Sequence, residues 1–579
     1  MALSGIRQAL SRASLALAVG LPAVLFAYAG YDRRWAGDDG FINLRVVNQL
    51  LHGNGFVYNA GERVEAVTSA AWVFLLWLLG ALGWQIEQAA WVTALALSVA
   101  GLALGTFAAA RASERDERDE RDEPTLVLPL GVLAYLAIPV AWEYETSALE
   151  NGLGLFFLGG SFWLMTSHVS RPWIALWLGL APLVRPDFTL YALPWLAVLF
   201  MQRPRWQLLA LFALPGGAYE IFRMGYFACL VPNTALAKSA FDPNWSQGWL
   251  YFKNTFATYE LYWPLALAIP ALLWVRARPA LALALGGVLH ILYVLRVGGD
   301  FMHGRVLLPG VFALFMAAGA LRLRFERREL ILGAVAFTLV ASWSVHCART
   351  LRPEYYADYI LDERRWWTDN AGEANPITSE QYTNHKFYQM SLEVKRQLAT
   401  QCPDGLATLN SENVDPCQRT VWLLDDSPNG GISDHQLGEL LPMDPSAAPE
   451  HVVAVYAFRP LGVSGRMMGL RVNVVDAYGL ADPLASRNEL GKERGRPGHE
   501  KELGTIWFVA KFAAEAATRD PRVALARKAL HCGLLRELHH ATRDELTLSR
   551  FLKNLTLAFP LHRLRLPPDP QVAVDRFCS

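Results

Sequence analysis

The stretch PALALALGGVLHILYVLRVGGDFMHGRVLLPGVFALFMAAGALR, residues 279–322, decides the fold class. Two apolar runs, 279 to 296 and 305 to 322, flank a short polar loop, and a cluster of arginines follows. As an α-helix rising ~1.5 Å per residue, each run approaches the ~30 Å hydrocarbon thickness of a bilayer. Similar runs occur around 12 to 31, 67 to 83, 88 to 110, 125 to 142, 152 to 167, 172 to 184, 188 to 202, 206 to 224, 260 to 275 and 329 to 346, so twelve segments are candidates for crossing. Several are shorter than the ~20 residues of a straight span and must be tilted, re-entrant or completed by flanking aromatics.

Composition agrees. Of 579 residues 53% are hydrophobic and only 18% charged, a balance a soluble domain rarely shows. Charged residues are thin up to about residue 348 and dense beyond it, which divides the chain into a membrane part, 1–348, and a water-soluble part, 349–579. Basic and acidic residues number 53 each, so there is no basic footprint and nucleic acid is excluded as a partner. Arg7 and Arg12 precede an apolar run from Leu15 to Tyr31 that is long for a signal peptide and lacks a cleavage site before Arg33-Arg34. It reads as a retained first span in a multi-pass plasma (inner) membrane protein.

Short basic loops mark the cytoplasmic side: Arg203-Pro204-Arg205, Arg276-Ala277-Arg278, and Arg322 to Arg328. Counting from them puts the loops of Asn233 and Asp300, and everything after about residue 348, on the extracytoplasmic side. Twelve full crossings would place the N-terminus outside, against its own arginines, so one early segment fails to cross and about eleven spans remain. The run Glu114 to Glu123, with repeated Arg-Asp-Glu, reads as a solvated loop. In the soluble part, strand-like runs at Thr420 to Leu424, His451 to Phe458 and Leu470 to Val475 alternate with helical stretches, predicting an α/β or α+β domain. Cys402 and Cys417 are close enough to pair in an oxidising compartment, and two separate buried thiols are the competing reading.

Four polar clusters carry the chemistry. Asp38 and Asp39 follow the first span, and paired carboxylates beside hydrocarbon are functional candidates by default. Asp39 is also placed to cap a helix from Phe41 to His52 whose Phe41, Leu44, Val47 and Leu51 form one stripe. Adjacent carboxylates diverge, which favours a general base over a metal ligand and leaves a divalent cation open. The loop Gly53 to Glu65 reads as irregular, with an exposed ion pair. Trp142 to Glu150 is polar between two spans, and Glu150 either favours the following helix start or lines a cavity. Arg296, Asp300, His303 and Arg305 surround the diglycine Gly298-Gly299. Such a loop suits a phosphate, because guanidinium groups match its oxygens in pairs and glycine amides come close; arginines snorkelling to headgroups are the bland alternative. Weaker exterior candidates are Asn233 and Lys238, and in the soluble part Asp476, Asp482, Arg496, His499 and Glu500.

In order, these motifs resemble the mycobacterial terminal arabinofuranosyltransferase family, membrane glycosyltransferases of the GT-C class, and relatives described as flagellar motor control proteins. The resemblance rests on Asp38-Asp39 with Gly53 to Glu65, Thr146 to Glu150, Arg185-Pro186-Asp187, Pro232 to Lys238, Gly298 to Arg305, Asp476 to Pro483 and Arg496 to Glu500. Ser147-Ala148-Leu149-Glu150 departs from the glycine expected before the Leu-Glu pair, and the repeat at 114 to 123 is particular to this chain. The resemblance implies a GT-C-like bundle with an extracytoplasmic C-terminal domain that binds acceptor glycan. It further implies Asp38 or Asp39 as acid/base centre, a polyprenyl-phosphate sugar donor near Arg296 to Arg305, and a cell-envelope glycan acceptor. Attack by a sugar hydroxyl needs a carboxylate to accept its proton, whereas a phosphate leaving group needs cationic donors and no general acid.

Transfer onto protein or lipid hydroxyls is the nearest alternative. A transporter or flippase would show mid-span charges and inverted repeats, and neither is clear here. A motility-related assembly role has no specific feature in its favour.

Overall fold

The computed structural model describes residues 2–113, 125–202, 205–402, 406, 417–422, 440–458, 460–491 and 495–579. The acidic repeat 114–123, Arg203-Pro204, the strand end Leu423-Leu424 and Arg494 lie outside the described residues.

Among the described residues four helices are long and apolar enough to cross a membrane: Gln8–Asp32, Ile86–Ala112, Arg278–Val297 and Arg327–Thr350. A fifth arises if Trp245–Thr258 and Tyr262–Val275, bent by 89°, make one span. Shorter apolar helices, among them Ala70–Ala81 and Asn151–Met165, fill the bundle. The opening stretch is only half as regular as its hydropathy suggests. Its first run is the helix Arg278–Val297, begun by Pro279 in the first turn and stopped by Gly298 at φ 94°. Its second run is a helix only over Leu308–Ala317, and Leu321–Arg324 leaves it to pair antiparallel with Thr125–Leu128. The predicted segment 125 to 142 is likewise broken into that strand and the helices Leu130–Leu136 and Pro139–Tyr144, with Pro129 and Pro139 at the breaks.

Glycines set the closest helix contact. A Cβ on Gly152 would lie 2.1 Å from the Ala94 carbonyl oxygen, and one on Gly159 would lie 1.9 Å from that of Gly101. Helices Ile86–Ala112 and Asn151–Met165 therefore touch backbone to backbone, the way small residues let helices associate where lipid supplies no hydrophobic drive.

After Thr350 the chain builds a four-stranded sheet in the order Leu440–Pro442, Thr420–Trp422, Ala454–Phe458, Val472–Asp476. The first pair is antiparallel and the others are parallel. Disulfides join Cys402 to Cys417 and Cys532 to Cys578; the second pair was not anticipated.

The loop Gly53 to Glu65 is a latch rather than an exposed turn. Glu62 pairs with Lys511 at 3.0 Å and with Arg543 at 2.9 Å, and these cations outweigh burial to hold its carboxyl down at about 2. Glu65 pairs with Arg223 at 2.6 Å and accepts from Tyr219. Both carboxylates are buried, so a hydrophilic-looking loop becomes the joint between membrane and C-terminal parts. Its polar groups are fully spent on partners, as burial requires.

Gly159→Ala should destabilise the protein by the ~1–3 kcal/mol typical of overpacking, read as a lower melting temperature in detergent. Gly20→Ala, whose added methyl meets nothing within 4 Å, should leave it unchanged.

Candidate functional site

The two aspartates open a helix, Asp38–Leu51, whose N-cap is Gly37 and not Asp39 as expected. The cap moves because Gly37 and Gly40 pack against the Ser147 carbonyl, which accepts from the Gly37 amide at 3.0 Å and sits 2.5 Å from where a Gly40 Cβ would be. The predicted stripe holds, with Phe41, Leu44 and Val47 fully buried. Set about 100° apart on the first turn, the carboxylates face different neighbours.

Asp38 turns to the C-terminal part. Its oxygens accept from the amides of Gly462 at 3.0 Å and Val463 at 2.8 Å, the first turn of helix Gly462–Met468. Burial pushes its carboxyl up to about 6, while those two amides pull it back. Asp39 turns to a cavity of about 470 Å³ and lies 3.6 Å from the Arg305 guanidinium. The two side chains thus share no common partner, and among the described residues no group of three or more His, Cys, Asp or Glu is placed to hold a metal.

Arg305 is fixed from the other side. Its Nε lies 2.8 Å and its Nη2 2.5 Å from Asp300 Oδ2, and Asp300 Oδ1 accepts from its neighbour's amide, Phe301. Burial alone would raise the Asp300 carboxyl, but Arg305 and Lys238 hold it below the usual carboxylate range. The chain enters Asp300 through Gly299 at φ 74°, where a Cβ would strike the Tyr251 ring at 2.4 Å.

A parallel clamp, Glu150–Arg185–Asp187, borders the same cavity, with Arg185 Nη1 2.7 Å from Glu150 and Nε 3.0 Å from Asp187. His290 closes it, 2.8 Å from Asp187. Arg185 and Asp187 were not among the predicted site residues, although an Arg-Pro-Asp triplet between two apolar runs was a signal for them. The remaining cations lining the cavity are Lys238 and Arg296. Arg296 donates to the main-chain carbonyls of Phe241 at 2.9 Å and Ala240 at 3.4 Å, and neither Lys238 nor Arg296 forms a carboxylate ion pair among the described residues. Of the four cations, Arg185 and Arg305 are ion-paired with acids, whereas among the described residues Lys238 and Arg296 are not.

The other predicted residues divide. Glu500, with Pro497 and Gly498, walls the cavity. Arg496 lies 3.8 Å over the Phe301 ring and 4.0 Å from Glu363, and His499 packs edge-on against Phe301 and Tyr478, its imidazole pushed down to about 3 by burial. They fasten that wall and do not line the cavity. His303 lies off it too, between Asn254 and Tyr259, and burial pushes it down to about 3, so it is neutral and no phosphate cation. Asn233 donates to the carbonyls of Gly479 and Leu480, holding the turn after the last strand. Asp482 caps Leu484 and Ala485 and pairs with Lys511. Asp476 accepts from the amides of Tyr478 and Leu480 within its own turn, and burial pushes its carboxyl up to about 7. A strand-end acid that looked functional is spent on its own backbone.

A Cβ on Gly462 would lie 1.7 Å from the Asp38 carbonyl oxygen, so Gly462→Ala should lower the melting temperature and Gly504→Ala, with open space around it, should not. Asp476 gives a pH signature. Its folded pKa is raised, so its contribution is present below about pH 4 and is lost as pH rises towards 7. Wild type should lose stability relative to Asp476→Asn across that window, by at most ~1.4 kcal/mol per pH unit, in melts run over a pH series.

Residues 442–576 match the family model described as the AftB family C-terminal domain. The chain is 34% identical to the terminal beta-(1->2)-arabinofuranosyltransferase of Mycobacterium tuberculosis, the match covering 98% of this chain and 97% of that protein. It is 31% identical to the protein of the same name from Corynebacterium glutamicum, over 96% of this chain and 87% of that one. No solved structure matches. Identity of this level along nearly the whole length, with the motif-bearing loops gathered at one cavity, means that the chain belongs to the terminal beta-(1->2)-arabinofuranosyltransferase family.

Proposed function

We propose that this protein transfers a sugar, arabinofuranose by its family, from a polyprenyl-phosphate donor to a cell-envelope glycan on the extracytoplasmic side of the plasma membrane. The observation that carries the reading is a cavity lined by the Asp39 carboxylate, which Arg305 orients, together with two cations, Lys238 and Arg296, that form no carboxylate ion pair among the described residues. The cations take the donor phosphate. Leu190, Tyr293, Val294 and Val297 give the same cavity an apolar side for the first isoprene units. Asp39, steered by Arg305, accepts the proton of the acceptor hydroxyl as its oxygen attacks the anomeric carbon. The bond from that carbon to the phosphate oxygen breaks, and polyprenyl phosphate leaves as an anion stabilised by Lys238 and Arg296. One direct attack of this kind inverts the anomeric centre, and a retained product requires a two-step route through a nucleophile. The part up to residue 348 carries the chemistry, and the part from 349 supplies the wall Pro497 to Glu500 along which acceptor glycan approaches.

In the membrane reading, helix Ala70–Ala81 is a segment that does not cross. Its 12 residues reach only ~18 Å. Thr68 before it lines the cavity and Glu87 after it pairs with Arg466 of the C-terminal part at 2.9 Å, so both flanks lie on one side. Two disulfides in the C-terminal part support an oxidising, extracytoplasmic location for it.

Asp39→Asn should reduce transfer from polyprenyl-phosphate arabinofuranose to an oligoarabinan acceptor by ~10²–10⁴-fold with unchanged melting. Full activity of that variant would sink the assignment. Lys238→Met should act chiefly through a higher KM for the lipid donor.

A further inference from the structure

Helix Leu548–Arg563, in the C-terminal part, has one face fixed and one face exposed. Inward, Asn554 donates to the carbonyl oxygens of Gly225 at 3.0 Å and Ala541 at 3.1 Å, and Ala558 and Leu561 are buried. Phe551 lies so close over Gly225 that a Cβ there would come within 2.2 Å of its ring. These contacts seat the helix on the end of Trp206–Phe227, a 22-residue helix that itself exposes Leu214 and Ile221.

Outward, Leu548, Leu552 and Phe559 are 53 to 75% exposed, and half-buried Leu555 completes the spacing i, i+4, i+7, i+11 of a single stripe. Isolated exposed apolar residues need no explanation, but an aligned row does. The row does not stop at the end of the helix. His562, one turn beyond Phe559, packs edge-on at 5.0 Å against Phe241, and Phe241, Trp245 and Trp249 are all about half exposed. Trp245 and Trp249 lie one turn apart on helix Trp245–Thr258, the arm that meets Tyr262–Val275 at 89°. An exposed Trp-rich band next to apolar helices is the composition of a bilayer interface, where an indole has one wet and one dry side.

We propose that helix Leu548–Arg563 lies in the surface of the same bilayer that the N-terminal helices cross, with Leu548, Leu552 and Phe559 immersed at the boundary between headgroups and acyl chains. Continuity with the aromatic band and with the exposed side of Trp206–Phe227 selects lipid over a second copy of the chain as the occupant. Because Asn554 and Phe551 bind this helix rigidly to the bundle, the immersed stripe fixes the depth at which the C-terminal part rides above the membrane.

The test uses the full-length protein in phospholipid nanodiscs, with an NBD label on a cysteine introduced by Leu552→Cys, Phe559→Cys or Lys553→Cys. The two free native cysteines, Cys229 and Cys347, are buried. In nanodiscs containing lipids with a nitroxide high on the acyl chain, emission at 552 and 559 should be blue-shifted and quenched several-fold more than at 553, which lies off the stripe. Equal, water-like emission at all three positions would overturn the proposal. So would labels at 552 and 559 that escape lipid quenching while cross-linking between copies.

Discussion

The Asp38 carboxylate, accepting from the amides of Gly462 and Val463, is the interaction on which the arrangement of the site depends. It places a buried acid from the first loop of the membrane part at the start of a helix in the C-terminal part, where the amide dipoles favour negative charge. The geometry leaves little slack, because Gly462 meets the Asp38 backbone so closely that no side chain fits. Asp39, the next residue on a rigid helix, is thereby aimed at the cavity. Seating of the C-terminal part and orientation of the candidate base are one constraint. The buried ion pairs of Glu62 with Lys511 and Arg543, and the carbonyls of Gly469 and Val472 that Arg45 grips, repeat the same joint nearby.

The cavity is organised by compensation of charge. Arg305 sits between Asp300 and Asp39, and Arg185 between Glu150 and Asp187. Each arginine holds two carboxylates in place, whereas Lys238, near Asp300, and Arg296 form no carboxylate ion pair among the described residues. Counting arginines in the loop Arg296 to Arg305 would assign the phosphate to both. The structure separates them into one tied to two carboxylates and one that donates to the carbonyls of Ala240 and Phe241.

The sequence conveyed the chemistry better than the fold. Hydropathy marked the apolar segments, because burial in lipid or protein demands them whatever the path of the chain. It could not show that the runs 125 to 142 and 305 to 322 each give up part of their length to a β-ribbon, a pairing of residues almost two hundred positions apart. The stripe Phe41, Leu44, Val47 was legible because helical period is local, but its cap was not, since the Ser147 carbonyl that displaces Asp39 comes from another loop. The motifs holding Asp39, Glu150, Lys238, Arg296, Asp300, Arg305 and Glu500 were each visible as polar clusters between apolar runs, and all seven reach the cavity. Asp476, Asp482 and Asn233 looked equivalent and do not, because their partners are backbone groups of turns and, for Asp482, also Lys511.

By itself, then, the sequence determined solvent and inventory: which segments avoid water, which loops carry acids and cations, and the family those loops resemble. Composition and short-range period suffice for that, since both act within a few residues. Which of the paired aspartates faces the cavity, which cations are ion-paired, and how the C-terminal part is seated were decided by tertiary structure alone. Those outcomes turn on contacts such as Asp38 with Gly462 and Arg305 with Asp39, where distances of 3 to 4 Å join residues hundreds of positions apart. At that range a single partner decides whether a buried charge serves the fold or remains for chemistry.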